Sequence, residues 1–138
     1  MNQDQLEMLK RLKAPIDKYM GPWRIGDKCY SIYHSQTGFI IDTSQNSYRY
    51  THVVFDSGME VKCKVDNMGM YLRIPPFATP GEKRCLWDMV DWTKWYRDIC
   101  ANGNLCLKYK YPSVGERINF EADPYTAILK ALIVQEGV

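Results

Sequence analysis

Tyr50-Thr51-His52-Val53-Val54-Phe55-Asp56-Ser57-Gly58-Met59-Glu60-Val61-Lys62-Cys63-Lys64-Val65 decides the fold of this chain. The first six residues are dominated by β-branched and aromatic types, which fit a pleated, half-buried surface. Asp56-Ser57-Gly58 is a hairpin signal. From Met59 to Val65 the side chains then alternate: Val61, Cys63 and Val65 point one way, and Glu60, Lys62 and Lys64 the other. A period of two belongs to a strand with one packed face. The stretch is therefore an antiparallel hairpin with one apolar side.

More strands flank it. Cys29 to Tyr33 is rich in β-formers, Phe39-Ile40-Ile41 follows Gly38, and Tyr71 to Ile74 closes the set before Pro75-Pro76. Short strands at this spacing predict a small, strongly bent sheet or barrel. Ahead of them Leu6, Leu9 and Leu12 recur every three residues, with charged residues opposite, which predicts a helix over 4–13. Pro15 is expected to stop it, since the residue before a proline avoids the α region. Met20 to Gly26, with Gly21, Pro22 and Gly26, is expected to turn.

Pro75 to Gly81 is the expected joint between two halves, 1–76 and 77–138, of a single domain over 1–138. Residues 85–96 fit a helical face through Leu86, Met89 and Val90, yet their tryptophans and valine suit a strand equally. Asn102-Gly103 predicts a turn, and Leu105 to Tyr111 and Arg117 to Glu121 predict strands. The last element has the fullest signals. Asp123 is an N-cap candidate, Pro124 sits where its missing N–H costs nothing, and Gly137 ends the helix. Tyr125, Ile128, Leu129, Leu132 and Ile133 form its apolar stripe, of which the last four are expected to be buried. The fold class that results is α+β: an N-terminal helix, a small antiparallel sheet or barrel, and a second αβ layer with a C-terminal helix.

Composition narrows the function. The chain has 138 residues, 46% hydrophobic and 25% charged, with a formal net charge of +2. That is globular usage with material for one core. The basic excess is too small to argue for non-specific clamping of duplex DNA. No positive start followed by an apolar run marks a signal peptide, and no run approaches the ~20 residues that span a bilayer. The five cysteines, an odd number, are expected to be reduced thiols in a cytoplasmic protein.

His34 and His52 are the only imidazoles, and no serine elbow or protease cysteine context accompanies them. Cys63, Cys85, Cys100 and Cys106 lack the short spacing that makes a zinc site convincing, and Cys63 alternates with valines as a small core residue would. Asp88 and Asp91 would share a face only if 85–96 were helical, and no phosphate-cradling glycine loop is present. The expectation is a protein without enzymatic activity, metal or cofactor. Trp87, Trp92, Trp95 and Tyr96 crowd into ten residues, where they serve either a core or an interface. The cations point further. Lys62 and Lys64 share a strand face, Lys108 and Lys110 share another, Tyr48-Arg49-Tyr50 sets a guanidinium between two phenols, and Trp23-Arg24 lies in a turn. Such groups stack on rings and neutralise phosphates. Lysines on a strand also guard it against edge-to-edge aggregation. The ligand-binding candidates are Arg24, Arg49, Tyr50, Lys62 and Lys64.

Trp23-Arg24-Ile25-Gly26-Asp27-Lys28-Cys29-Tyr30, with Val53-Val54-Phe55-Asp56-Ser57-Gly58 downstream, resembles the opening of SH3-like barrels. The tail from Asp123 to Leu132, with Gln135-Glu136-Gly137, is similar to the endings of small phage and prophage accessory proteins. The first resemblance implies a fold and no function. The second implies a setting in which a small protein works by occupancy in the host cytosol, blocking a host defence protein or sequestering a small anionic nucleotide signal, with a homo-oligomer possible. An SH3-like nucleic-acid-binding module of housekeeping type is the alternative.

Overall fold

The computed structural model describes residues 1–43, 49–79, 81–99, 105–110, 117–119 and 123–138. They form two compact units, one made of Met1–Leu12 with Pro76–Val138, the other of Lys13–Pro75. One boundary between them falls between Pro75 and Pro76. The N-terminal helix, however, belongs with the C-terminal segment and not with the sheet that follows it.

Helix α1 spans Gln3–Arg11 and is fastened by a reciprocal cap. Asn2 Oδ1 accepts the Gln5 N–H at 2.8 Å, and Gln5 Oε1 accepts the Asn2 N–H at 3.2 Å. A second helix, α2, runs over Lys13–Met20. Pro15 therefore does not stop the helical region. It occupies the first turn of α2, where backbone N–H groups have no intrahelical partner to lose.

In the unit of Lys13–Pro75, the strands are β1 (Lys28–Ser31), β2 (Gln36–Thr43), β3 (Tyr50–Phe55), β4 (Glu60–Lys64) and β5 (Tyr71–Arg73). All pairs are antiparallel, in the order β4-β3-β2-β1-β5. The last strand thus returns beside the first. Among the described residues the ladder does not close into a barrel: β4 and β5 are its two edges. A 3-10 turn over Val65–Met70 carries the chain from one edge to the other. Cys29, Ile40, Val53, Phe55, Met68 and Tyr71 form the core, with Trp23, Val61 and Cys63 packed on it. The inward and outward sides of β4 are those its alternation predicts, although Cys63 is half-buried and not fully inside. Helix α2 packs on β5.

In the other unit, residues 85–96 resolve as helix and strand in succession. One turn, α3, covers Leu86–Met89, and β6 covers Trp95–Ile99. With β7 (Leu105–Tyr109) and β8 (Arg117–Asn119) it makes a three-stranded antiparallel sheet in chain order. Helix α4 (Pro124–Glu136) starts on Asp123, whose Oδ1 accepts the Tyr125 N–H at 3.1 Å, and ends on left-handed Gly137. It packs against α1. Gln5 Nε2 donates to Asp123 Oδ2 at 2.7 Å and to Thr126 Oγ1 at 3.1 Å. Ile128, Leu129 and Leu132 are wholly buried, but Ile133 is only half-buried, and Ala127 and Ala131 complete the inner face. At 3.6 residues per turn Ile133 lies about 140° round the helix from Ile128, beyond the stripe's edge. The chain is an α+β protein. The Asn102-Gly103 turn, Tyr111 and the Phe120-Glu121 strand end fall outside the described residues.

Candidate functional site

The open β4 edge is where the predicted binding residues can be tested. Outward-facing Lys62 and Lys64 stand on β4, and register places Tyr50 opposite Lys64. The chain beyond β4 bends through the 3-10 turn and delivers Asn67, Met70 and Tyr71. The β1–β2 connection delivers Tyr33 and His34. These residues, with Val61 and Cys63, line a cavity of about 380 Å³. That volume lies within the range of small-ligand sites.

Its walls are held differently. Tyr71 is buried, while Tyr33 is 79% exposed and overhangs the rim. His34 is anchored: its Nδ1 lies 3.1 Å from Ser31 Oγ, and its backbone N–H donates to the same oxygen at 3.1 Å. The His34 ring stands edge-on to Tyr33, with centroids 4.9 Å apart, and 5.2 Å from the Phe55 ring. The Ile32 N–H donates to the Met70 carbonyl at 2.9 Å, stitching the β1–β2 connection to the 3-10 turn.

The electrostatics are one-signed. Among the described residues neither Lys62 nor Lys64 forms an ion pair. Burial pushes the Cys63 thiol and the Tyr71 phenol up, so both are neutral at neutral pH. The two ammonium groups of Lys62 and Lys64 thus stand in the lining with no carboxylate among the described lining residues. On the outer face of the same hairpin, His52 Nε2 sits 3.4 Å from Glu60 Oε2, so that carboxylate serves the imidazole.

Of the five predicted residues, Tyr50, Lys62 and Lys64 meet in the cavity, and Arg24 and Arg49 do not line it. Arg49 contributes its backbone. With a left-handed φ of 48° it turns its carbonyl to accept the Val65 N–H at 2.8 Å, which locks the foot of the β3–β4 pair. Arg24 lies in the turn before β1, where its N–H donates to Asp27 Oδ2 at 2.9 Å. Tyr48 lies outside the described residues. Sequence reading missed Tyr33, His34, Asn67, Met70 and Tyr71 as lining. The one signal for them was the Tyr71–Ile74 strand, because pairing Ser31 with Tyr71 is what joins these distant segments.

The other candidates separate. Asp91 lies beyond the end of α3 and accepts from the Thr93 N–H and hydroxyl, which hold its carboxyl low. Asp88 lies 3.3 Å from Cys85 Sγ. They share no helical face. Cys29 is buried, which pushes its thiol up to about 12. Cys29, Cys63 and Cys85 are free, but Cys106 is disulfide-bonded, which corrects the expectation of thiols throughout. Among the described residues no three His, Cys, Asp or Glu side chains are grouped to hold a metal, and no helix is long and apolar enough to cross a membrane.

No family model, no curated protein and no solved structure matches this chain.

Proposed function

We propose that this chain is a small binding protein of phage type that sequesters an anionic, ring-bearing ligand of nucleotide chemistry in the host cytosol. The observation that carries the reading is the pairing of Lys62 and Lys64, free of ion pairs among the described residues, with Tyr33 and Tyr50 in one open cavity of about 380 Å³. Ammonium groups take up phosphate charge, and phenol faces take up a base by stacking. Two like charges on one strand face repel unless solvated or answered by an anion, so an anion relieves them. Occupancy alone would withhold such a ligand from a host defence factor, with no catalytic step required.

Titration calorimetry with nucleoside mono-, di- and triphosphates and cyclic dinucleotides, at low and high salt, tests this directly. Binding is expected to weaken with salt, because the attraction is screened at a Debye length of ~3 Å at 1 M. The K62E/K64E double variant is expected to lose at least about tenfold in affinity, or ~1.4 kcal/mol, with its melting temperature unchanged. Arg49→Glu is expected to bind as the parent does, since Arg49 does not line the cavity. No measurable binding to any of these ligands would overturn the proposal. Binding only to a single-stranded oligonucleotide would move it to the nucleic-acid alternative.

A further inference from the structure

Arg97 stands on β6 with its guanidinium carbon 4.9 Å from the Trp87 ring centroid and 4.7 Å from that of Trp92. The two indole centroids lie 4.5 Å apart with the rings at 43°, a wedge that the guanidinium caps. Trp92 Nε1 donates to the Trp87 carbonyl at 3.1 Å, and the Phe77 ring backs Trp87 at 5.6 Å. Hydrogen bonds from the Trp87 N–H to the Phe77 carbonyl, at 3.0 Å, and from the Leu86 N–H to the Pro76 carbonyl hold the base of the wedge. All of this belongs to the unit of Met1–Leu12 and Pro76–Val138, whereas the residues that line the cavity belong to Lys13–Pro75.

Core packing does not account for the cluster. Trp95 is the tryptophan that enters the core, at 2% exposure, whereas Phe77, Trp87 and Trp92 are half-buried and Arg97 is exposed. Among the described residues Arg97 has no carboxylate partner. A guanidinium normally offers five donors in a planar fork. Here its position is held by rings, which take none of those donors in conventional hydrogen bonds.

We infer that the Trp87–Arg97–Trp92 wedge is a docking surface for an acidic protein segment, with Arg97 as the fork that takes its carboxylate. Pre-positioning reduces the side-chain entropy lost on binding. Aromatic rings around an arginine are the composition of interface anchors. Nucleic acid is the less suitable occupant. Arg97 already lies over both indoles, so the ring faces it covers are not available for base stacking.

The test uses the full chain, a fluorescein-labelled hexaglutamate peptide, and a labelled hexathymidylate. Peptide binding is expected to be salt-sensitive and to change tryptophan emission. Arg97→Glu is expected to lower peptide affinity at least about tenfold, and Arg97→Lys several-fold, because lysine cannot make the two-pronged bond. Both variants should keep the parent's melting temperature. The K62E/K64E variant should bind the peptide as the parent does, which separates this surface from the nucleotide cavity. Peptide binding that is absent, or unchanged in both Arg97 variants, overturns the inference. Oligonucleotide binding that Arg97→Glu abolishes while peptide binding persists also overturns it.

Discussion

Arg73 Nε donates to Asp17 Oδ1 at 3.0 Å, tying β5 to α2 across 56 residues of sequence. The same guanidinium reaches Asp27 Oδ2 at 3.5 Å, donates to the Gly21 carbonyl, and lies 4.1 Å over the Trp23 ring. Its side chain is 5% exposed. A buried cation of this kind needs all its partners, because an unmet charge out of water is expensive. Arg73→Ala is therefore expected to cost about 3 kcal/mol, towards the lower end for a broken buried pair since Asp17 remains partly solvated. Arg73→Lys is expected to recover little of it. Urea denaturation of the three proteins gives the comparison.

Leu132 has no exposure, whereas Ile133 beside it is half-buried. Leu132→Ala is expected to cost about 2–5 kcal/mol through lost transfer energy and a cavity. Ile133→Ala should cost less than half as much. Equal losses in thermal melts would mean that the inner face of α4 is set wrongly.

A Cβ on Gly38 would sit 2.5 Å from the Val54 carbonyl oxygen and 3.0 Å from Phe55 Cα. Both are backbone atoms, so β2 and β3 would have to separate. Gly38→Ala is expected to destabilise by at least about 1–3 kcal/mol, the range for overpacking. An unchanged denaturation midpoint would argue against this strand contact.

Asp123 is held below the ordinary aspartate range, first by the Thr126 hydroxyl and then by backbone N–H groups and Gln5. A carboxylate depressed in the folded state stabilises above its unfolded value, near ~3.9, and loses that contribution as pH falls through the lower folded value. The melting temperature should therefore fall on acidification below that point. In Asp123→Asn, which can still cap but cannot titrate, that fall should be smaller. Parallel melts from neutral pH down to strong acid distinguish the two.

Legibility in the sequence tracked the range of the forces involved. Alternation from Glu60 to Lys64 is a local record of which face packs, so the β3–β4 register and the sides of Lys62 and Lys64 could be read from it. The cap at Asp123 and the stop at Gly137 were equally local. Pro15 misled because a proline marks a helix start as well as an end, and only the break at Leu12 shows which. The cavity was half legible. Tyr50 and Lys64 are neighbours through a short hairpin, but Tyr33 and Tyr71 meet them through the β1–β5 pairing, which no short-range pattern encodes. Arg49 looked like a ligand group because a guanidinium lay between phenols. Its left-handed backbone, invisible in a list of residues, instead presents the carbonyl that accepts the Val65 N–H.

The clasp between Gln5 and Asp123 has a consequence for biosynthesis. Its two halves are 118 residues apart in the chain. At about 5–20 residues per second, a ribosome needs roughly 6–24 s to pass from one to the other. Throughout that interval Leu6 and Leu9 have been made but α4, against which their helix packs, has not. The segment of Lys13–Pro75, whose strands β1 to β4 each pair with the next in the chain and whose β5 then returns to β1, can assemble in the meantime. Over that interval the nascent chain carries an uncovered apolar helix, a target for a chaperone that grips such helices.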